Sequence, residues 1–439
     1  MTKLDGADGV AKAAGRLKAD AELKKLMARY YQGVFWAKRV RRPIAWITSG
    51  TPVEPLYAMG IVPVYPENYG AILGSRKVAA EFCEIAEGAG YSHDLCSYAR
   101  GSIGSMMADR GPLGGRGLPA PDLLISTKNI CNVVVKWWEV IARHYGKPLF
   151  VLDVPYVAEE PATPHQLAYV RGQLEEMIAF LERHTHRRLS MSRLVPVLKR
   201  STETVALWER VQACRRASPS PASALDMFTN MFPIVTLRGT EDAVRYYRML
   251  AEELDERVRR HEGPVPDERF RLVWDNIAIW HNFRLVKYFH ERGAVFVGET
   301  YTNAWGAYEF SPEDYRDPLA AMARQYSSVL LNVGPAVRLA RLVKMCRDYR
   351  ADGVVFHSNR SCKTYSLSQY ILARGIQEQL GRPTLFIEAD MTDPRAYADA
   401  AVKTRVDAYL EILDGRRADD AGGVAGTGAG RASAAGGTV

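Results

Sequence analysis

Nowhere in its 439 residues does the sequence reach the roughly 18 uninterrupted apolar residues that a membrane-spanning helix needs. Residues 1–37 contain no apolar stretch of signal-peptide length, so the expectation is a cytoplasmic protein without a membrane partner. Cysteine is scarce: Cys83, Cys96, Cys131, Cys214, Cys346 and Cys362 are spread along the whole chain. That excludes a disulfide scaffold and leaves free thiols or a metal site. A Gly-x-x-x-x-Gly-Lys-Ser/Thr phosphate loop is missing, and the glycines of residues 111–117 do not follow a strand as a dinucleotide fingerprint requires. Neither ATP nor NAD is expected on this chain. There is no Cys-x-x-Cys pair and no His-Glu-x-x-His helix, so any metal site must be assembled from distant loops. The net charge of +8 raises nucleic acid as a partner. Lysines and arginines are interleaved with acids rather than gathered in a basic tract, and no nucleic acid is expected.

What is present is a repeated grammar of strand, polar loop and helix. Val354, Val355 and Phe356 form the short apolar run of a parallel strand covered on both faces. Residues 357–361 read as a polar turn, 363–380 as a helix, 381–383 as its stop and 384–387 as the next strand. The same order recurs in a strand at 122–126, a loop at 127–131, a helix at 132–145, a stop at 146–148 and a strand at 149–152. Cys131 and Cys362 therefore occupy equivalent places, beyond the carboxyl end of a strand and at the start of a helix. Ligands of open parallel sheets bind there, and free amides with the helix dipole favour a thiolate there. Cys96 likewise leads into a helix that extends to about Asp109. From spacing alone an isolated cysteine is more often a small buried apolar residue. Cys83, Cys214 and Cys346, all read as mid-helix, are assigned that role.

The expected fold is α/β, with two related Rossmann-like domains built on parallel sheets at 42–160 and 268–395. An N-terminal helical arm (1–41), a helical bridge (161–267) and a C-terminal helix (396–413) complete it, and the Gly/Ala-rich tail from 414 to 439 is expected to be disordered. Strands at 43–48 and 60–65 deliver Ser49 and Glu67 to the ligand edge of the first sheet.

The segments Cys96-Ser-Tyr-Ala-Arg100, Lys128-Asn-Ile-Cys-Asn132 and His357-Ser-Asn-Arg-Ser-Cys-Lys363 resemble the cluster-cysteine segments of the 2-hydroxyacyl-CoA dehydratase and benzoyl-CoA reductase family. Residues 49–60 resemble its first strand-to-helix segment. Met231-Phe-Pro-Ile-Val-Thr-Leu-Arg-Gly239 resembles the branch formed by the B subunits of ATP-dependent benzoyl-CoA reductases. The resemblance implies that Cys96, Cys131 and Cys362 each give a thiolate to one 4Fe-4S cluster between the two α/β domains, leaving one iron without a cysteine. In the dehydratases that iron can hold a thioester oxygen; in the reductases the comparable site passes electrons to an activated ring.

The implied function is the iron-sulfur subunit of an aryl-CoA reductase, dearomatising benzoyl-CoA to a cyclic dienoyl-CoA by single-electron steps. A 2-hydroxyacyl-CoA dehydratase subunit and a non-catalytic electron-relay subunit are the alternatives. The implied partners are a homologous second cluster-bearing subunit, ATP-hydrolysing electron-activating subunits, ferredoxin as upstream donor and an aryl-CoA substrate. Ser49 is a candidate hydrogen-bond donor to the thioester oxygen or merely a helix cap; Glu67 is a candidate proton carrier or a turn residue. Arg100, Arg360 and Lys363 either offset cluster charge, contact coenzyme A phosphates or are solvated surface charges. Trp137, Trp138, Trp280 and Trp305 wall an aromatic pocket or fill the core.

Overall fold

Short runs of apolar residues between polar loops become strands buried on both faces, and each is followed by a helix that covers the sheet. The computed structural model describes residues 16–265, 267–304 and 311–426. Helix α1 (Ala19–Arg39) precedes the first unit, which runs β1 (Ile44–Ile47), α2 (Glu54–Ala58), β2 (Val62–Val64), α3 (Pro66–Ser75), α4 (Ala79–Gly88), α5 (Ser97–Ala108), β3 (Leu123–Thr127), α6 (Asn132–Tyr145) and β4 (Leu149–Leu152). The bridge follows as α7 (Pro164–Thr185), α8 (Met191–Cys214), α9 (Ala224–Asn230), α10 (Phe232–Thr236) and α11 (Glu241–Arg259). The second unit contains β5 (Phe270–Asp275), α12 (Arg284–His290), β6 (Ala294–Glu299), α13 (Pro318–Ser327), α14 (Pro335–Asp348), β7 (Gly353–Asn359), α15 (Lys363–Ser366), α16 (Gln369–Leu380) and β8 (Thr384–Ala389), and α17 (Asp399–Gly426) comes last.

The two sheets have one topology. The first is ordered β2-β1-β3-β4 and the second β6-β5-β7-β8, with every pair parallel. All residues of β1, β3, β5 and β6 are buried, as strands covered on both faces must be. In each sheet the strand order reverses between the first and third strands, which opens a crevice at the carboxyl edge. One apolar cluster runs through both units and the bridge, including Trp46 and Leu124, Trp274 and Val355, and Phe232 and Tyr247. The bridge is also tied to the second unit by charge. Arg215, just past α8, pairs with Glu299 at the end of β6, and both side chains are fully buried.

Three details depart from the sequence reading. Strand β7 does not stop at Phe356 but continues through Asn359, because β8 runs beside it and pairs His357 with Ile387 and Asn359 with Ala389. The helix expected over 363–380 is two helices. The carbonyl of Tyr365 accepts from the Arg338 guanidinium at 3.1 Å, and Ser368 Oγ accepts from it at 2.7 Å. The tail expected to be disordered from Asp414 is helical as far as Gly426, and residues 427–439 lie outside the described residues. Among the described residues, no helix is long and apolar enough to cross a membrane.

Candidate active site

The carboxyl edges of both sheets open onto one cavity of about 110 Å³. Ser49 reaches it from just beyond β1, Glu67 from beyond β2 and Cys131 from beyond β3. The second unit supplies Ile277 beyond β5, Tyr301 beyond β6 and Cys362 beyond β7. Cys96 completes the set from the start of α5, so the structure brings Ser49, Glu67, Cys96, Cys131 and Cys362 into a single lining.

Each of the three cysteines stands immediately before a helix: Cys96 before α5, Cys131 before α6 and Cys362 before α15. Backbone amides of Ala99, Val134 and Tyr365 favour the respective thiolates. Burial acts the other way and dominates. It pushes the Cys131 thiol up to about 11 and, together with the nearby Cys131 sulfur, the Cys362 thiol up to about 12. Burial, then Cys362, then Cys131 raise the Cys96 thiol well above its ordinary value. Cys96 is thus close enough to Cys362 and Cys131, and Cys362 to Cys131, for their thiolates to repel one another, and sulfur is a soft donor. Among the described residues, no group of three His, Cys, Asp or Glu side chains is placed to hold a single metal ion. Thiolates are the usual ligands of iron-sulfur clusters, and the three cysteines that share this lining are the residues that would hold one.

Glu67 and Ser49 form a pair. The Ser49 backbone N–H donates to Glu67 Oε2 at 2.5 Å and the Ser49 hydroxyl to Oε1 at 3.1 Å. Ser49 is therefore not the cap of α2; Val53 holds that position, and Thr51 bonds to Thr48 instead. Glu67 lies in the first turn of α3, is part-buried and lines the cavity. Burial lifts its carboxyl to about 7, outweighing the two hydrogen bonds from Ser49.

The remaining sequence candidates separate cleanly. Arg100 is 3 % exposed and bound to Glu87 and, at 3.1 Å, to Asp393. It latches the first unit to the loop beyond β8 and is neither a surface charge nor a phosphate contact. The same seam is closed by Ser97 N–H donating to Ser361 Oγ at 3.2 Å and by Thr392 Oγ1 donating to Ser97 Oγ at 2.7 Å. Lys363 donates to the Arg360 carbonyl on the surface. Trp137 lines the cavity, whereas Trp138 is fully buried and donates to the Trp46 carbonyl. Trp280 is buried with its Nε1–H on the Tyr98 hydroxyl, and Trp305 lies outside the described residues. Cys83 and Cys346 are buried within helices as expected, but Cys214 ends α8 half-buried, with its thiol on Asp255 Oδ1 at 3.2 Å.

Sequence reasoning missed Tyr98, Tyr301, Tyr326 and Arg238, all of which line the cavity. For Arg238 a signal existed, since it falls in the segment 231–239 already singled out.

Two parallel α/β units of identical topology, facing each other across a thiol-lined crevice, define a class of double-Rossmann subunits whose site belongs to neither half alone. Residues 48–413 match the sequence model described as 2-hydroxyglutaryl-CoA dehydratase, D-component, and the chain belongs to that family. It is 33 % identical over 403 residues to the alpha subunit of (R)-2-hydroxyisocaproyl-CoA dehydratase from Clostridioides difficile, covering 91 % of this chain and 97 % of that one. A benzoyl-CoA reductase subunit from Thauera aromatica is 31 % identical over 406 residues, covering 90 % and 94 % of the two chains. The (R)-phenyllactyl-CoA dehydratase alpha subunit of Clostridium sporogenes is 30 % identical over 399 residues, covering 90 % and 96 %.

Proposed function

We propose that this chain is the cluster-bearing subunit of an enzyme that acts on a coenzyme A thioester by single-electron chemistry, and that its substrate is an aryl-CoA reduced to a cyclic dienoyl-CoA. The observation that carries the reading is the meeting of three thiols with the Ser49–Glu67 pair in one cavity. A 4Fe-4S cluster held by Cys96, Cys131 and Cys362 would supply single low-potential electrons there. Reduction of the ring to the diene takes up two electrons and two protons. Glu67, near neutrality, is suited to holding and passing a proton at its carboxyl oxygen. Proton uptake also weakens its grip on the Ser49 hydroxyl, which is then free to donate to a thioester oxygen. Tyr98, Trp137, Tyr301 and Tyr365 give the cavity an aromatic wall suited to a flat aryl group, and they limit the water that would compete for a reactive radical.

A second reading is favoured by the relatives named as dehydratase alpha subunits, one of them 33 % identical. In it the same residues serve elimination of water from a 2-hydroxyacyl-CoA, with no net redox change. Subunit names among the relatives support a sister subunit. The ATP-hydrolysing activator and the ferredoxin donor rest on the resemblance of the cysteine segments, and the cytoplasm is the proposed location. The test is anaerobic turnover of the purified complex, with products resolved by mass. A cyclic dienoyl-CoA from benzoyl-CoA supports the first reading, and loss of water from a 2-hydroxyacyl-CoA replaces it with the second. Failure of the complex to bind or change any acyl-CoA leaves only an electron-relay subunit.

A further inference from the structure

The segment 231–239 has no part in the thiol site or the Ser49–Glu67 pair, yet its arginine lines the same cavity. Arg238 follows α10, and the turn that presents it depends on Gly239 at φ +91°, where a Cβ would meet Val197 Cγ1 at 2.9 Å. Thr240 then caps α11 through the Ala243 amide. Arg238 as a whole is 4 % exposed. Its Nη2 donates to the Tyr326 hydroxyl at 2.5 Å, and its Nε lies 3.8 Å from Glu54 Oε1, too far for a hydrogen bond. Both Glu54 oxygens are already occupied, by Ser201 Oγ at 2.6 Å and by the Tyr326 hydroxyl at 2.8 Å. Among the described residues, Arg238 Nε is left as a buried donor without an acceptor.

The arginine is also held in register with the reacting loops. The Tyr326 carbonyl accepts from Asn129 Nδ2 at 3.0 Å, and the same amide donates to the Gly50 carbonyl at 3.1 Å. Asn129 stands two residues before Cys131 and Gly50 directly follows Ser49, so one buried side chain fixes Arg238 against both loops. A second unmet group is in the same lining: Gln325, 8 % exposed, has an Oε1 without a donor among the described residues. Beside the thiols and the Ser49–Glu67 pair, an unpaired donor and an unpaired acceptor on the cavity lining call for a ligand that carries both. A thioester attached to an amide-bearing arm does so.

We propose that Arg238 is a substrate-contacting residue that hydrogen-bonds the thioester carbonyl oxygen and stabilises the negative charge that gathers there; this rests on the acyl-thioester reading above. When one electron from a low-potential iron-sulfur donor enters the conjugated thioester, no bond breaks and a unit of negative charge is added, much of it on that oxygen. Arg238 keeps its proton throughout and answers the charge with an N–H directed at it. Ser49, whose hydroxyl is engaged by Glu67 while that carboxyl is ionised, does not have to do so alone.

The experiment uses the reconstituted complex and the double variant Arg238→Ala/Glu54→Gln, which avoids leaving a buried carboxylate unpaired. With iron content and thermal midpoint retained, kcat should fall by about 100-fold or more while KM for the acyl-CoA changes little, in line with removal of one oxyanion donor. Millimolar guanidinium should recover about a tenth or more of the lost rate, and urea, the neutral isostere, should not. Turnover within about threefold of the parent, or equal rescue by urea, would overturn the assignment. So would a KM rise confined to acyl chains bearing a carboxylate, because Arg238 would then read the acyl group rather than the thioester. Should the double variant fail to fold, Arg238→Lys decides: a kcat loss of about tenfold at unchanged thermal midpoint is expected, and undiminished kcat overturns the proposal. A parent complex inert toward every acyl-CoA would instead bring down the functional reading, and this inference with it.

Discussion

Glu67 carries a burden that the unfolded chain does not. Burial lifts its pKa from 4.5 to about 7, so between those values the folded chain keeps a proton that the unfolded chain has released. Its contribution to stability is therefore fully present at low pH and is lost as pH rises through the folded value. In the iron-free chain, Glu67→Gln should raise the thermal midpoint at about pH 8, by the equivalent of up to about 3 kcal/mol, with the gain vanishing toward about pH 4. Circular dichroism melts across that range would read it, and a gain independent of pH would count against the burial argument. The same variant in the complex should turn over at least about 100-fold more slowly if Glu67 moves a proton.

The thiols make a parallel case. Cys96, Cys131 and Cys362 all titrate above their ordinary range when no positive partner is bound, so loading iron at about pH 7 should release close to one proton per thiol. Replacing any one by Ser should abolish stable iron binding, whereas Cys83→Ala and Cys346→Ala should retain the iron and cost roughly 1 kcal/mol each. Iron analysis with low-temperature EPR distinguishes the outcomes. A Cys362→Ser chain with full iron would refute the ligand set.

Among the elements, α5 bears most directly on the site, since Cys96 stands at its start and Arg100 and Ser97 latch it across the seam. It approaches α4 so closely that a Cβ on Gly104 would lie 1.8 Å from the Phe82 carbonyl oxygen. Gly104→Ala should therefore push the two helices apart, cost about 1–3 kcal/mol and displace Cys96, lowering iron retention without touching a ligand. Full iron content at unchanged stability would show that α5 tolerates the shift. Strands β3 and β7 were legible in the sequence because strands buried on both faces leave unbroken apolar runs between polar stops, and the edge strands β4 and β8, only partly buried, were legible from their short apolar runs after a Gly-x-Pro helix stop. The end of β7 was not legible. His357, Ser358 and Asn359 look like a turn in isolation and become strand only because β8 extends beside them.

Across the whole molecule, the two-unit architecture and the three thiol loops could be read from the sequence, while the far wall of the cavity could not. The neighbours of Arg238 come from α2 and α13, and no local pattern announces that Glu54, Tyr326 and Arg238 will meet. The C-terminus shows the same limit. Helix α17 buries Val402, Val406, Tyr409, Leu410 and Leu413 against the second unit, and beyond Gly415 Arg417 adds an ion pair to Asp352 at 3.5 Å and lies over the Phe270 ring at 5.2 Å. Truncation after Gly415 should cost about 1–2 kcal/mol, and truncation before Val402 should unfold the second unit. Denaturant melts of the two truncated chains would show the difference.

The division of the crevice between the two units also imposes an order in time. Cys131 leaves the ribosome 231 residues before Cys362, and Cys96 earlier still, an interval of roughly 10–50 s at ordinary rates of synthesis. The first unit can complete its sheet in that interval, but the seam closed by Ser97, Ser361 and Asp393 cannot form until translation has passed β8. With Cys96, Cys131 and Cys362 as the proposed ligands, iron delivered to the nascent chain would find only two thiols, and maturation of the site would wait for the last quarter of the polypeptide.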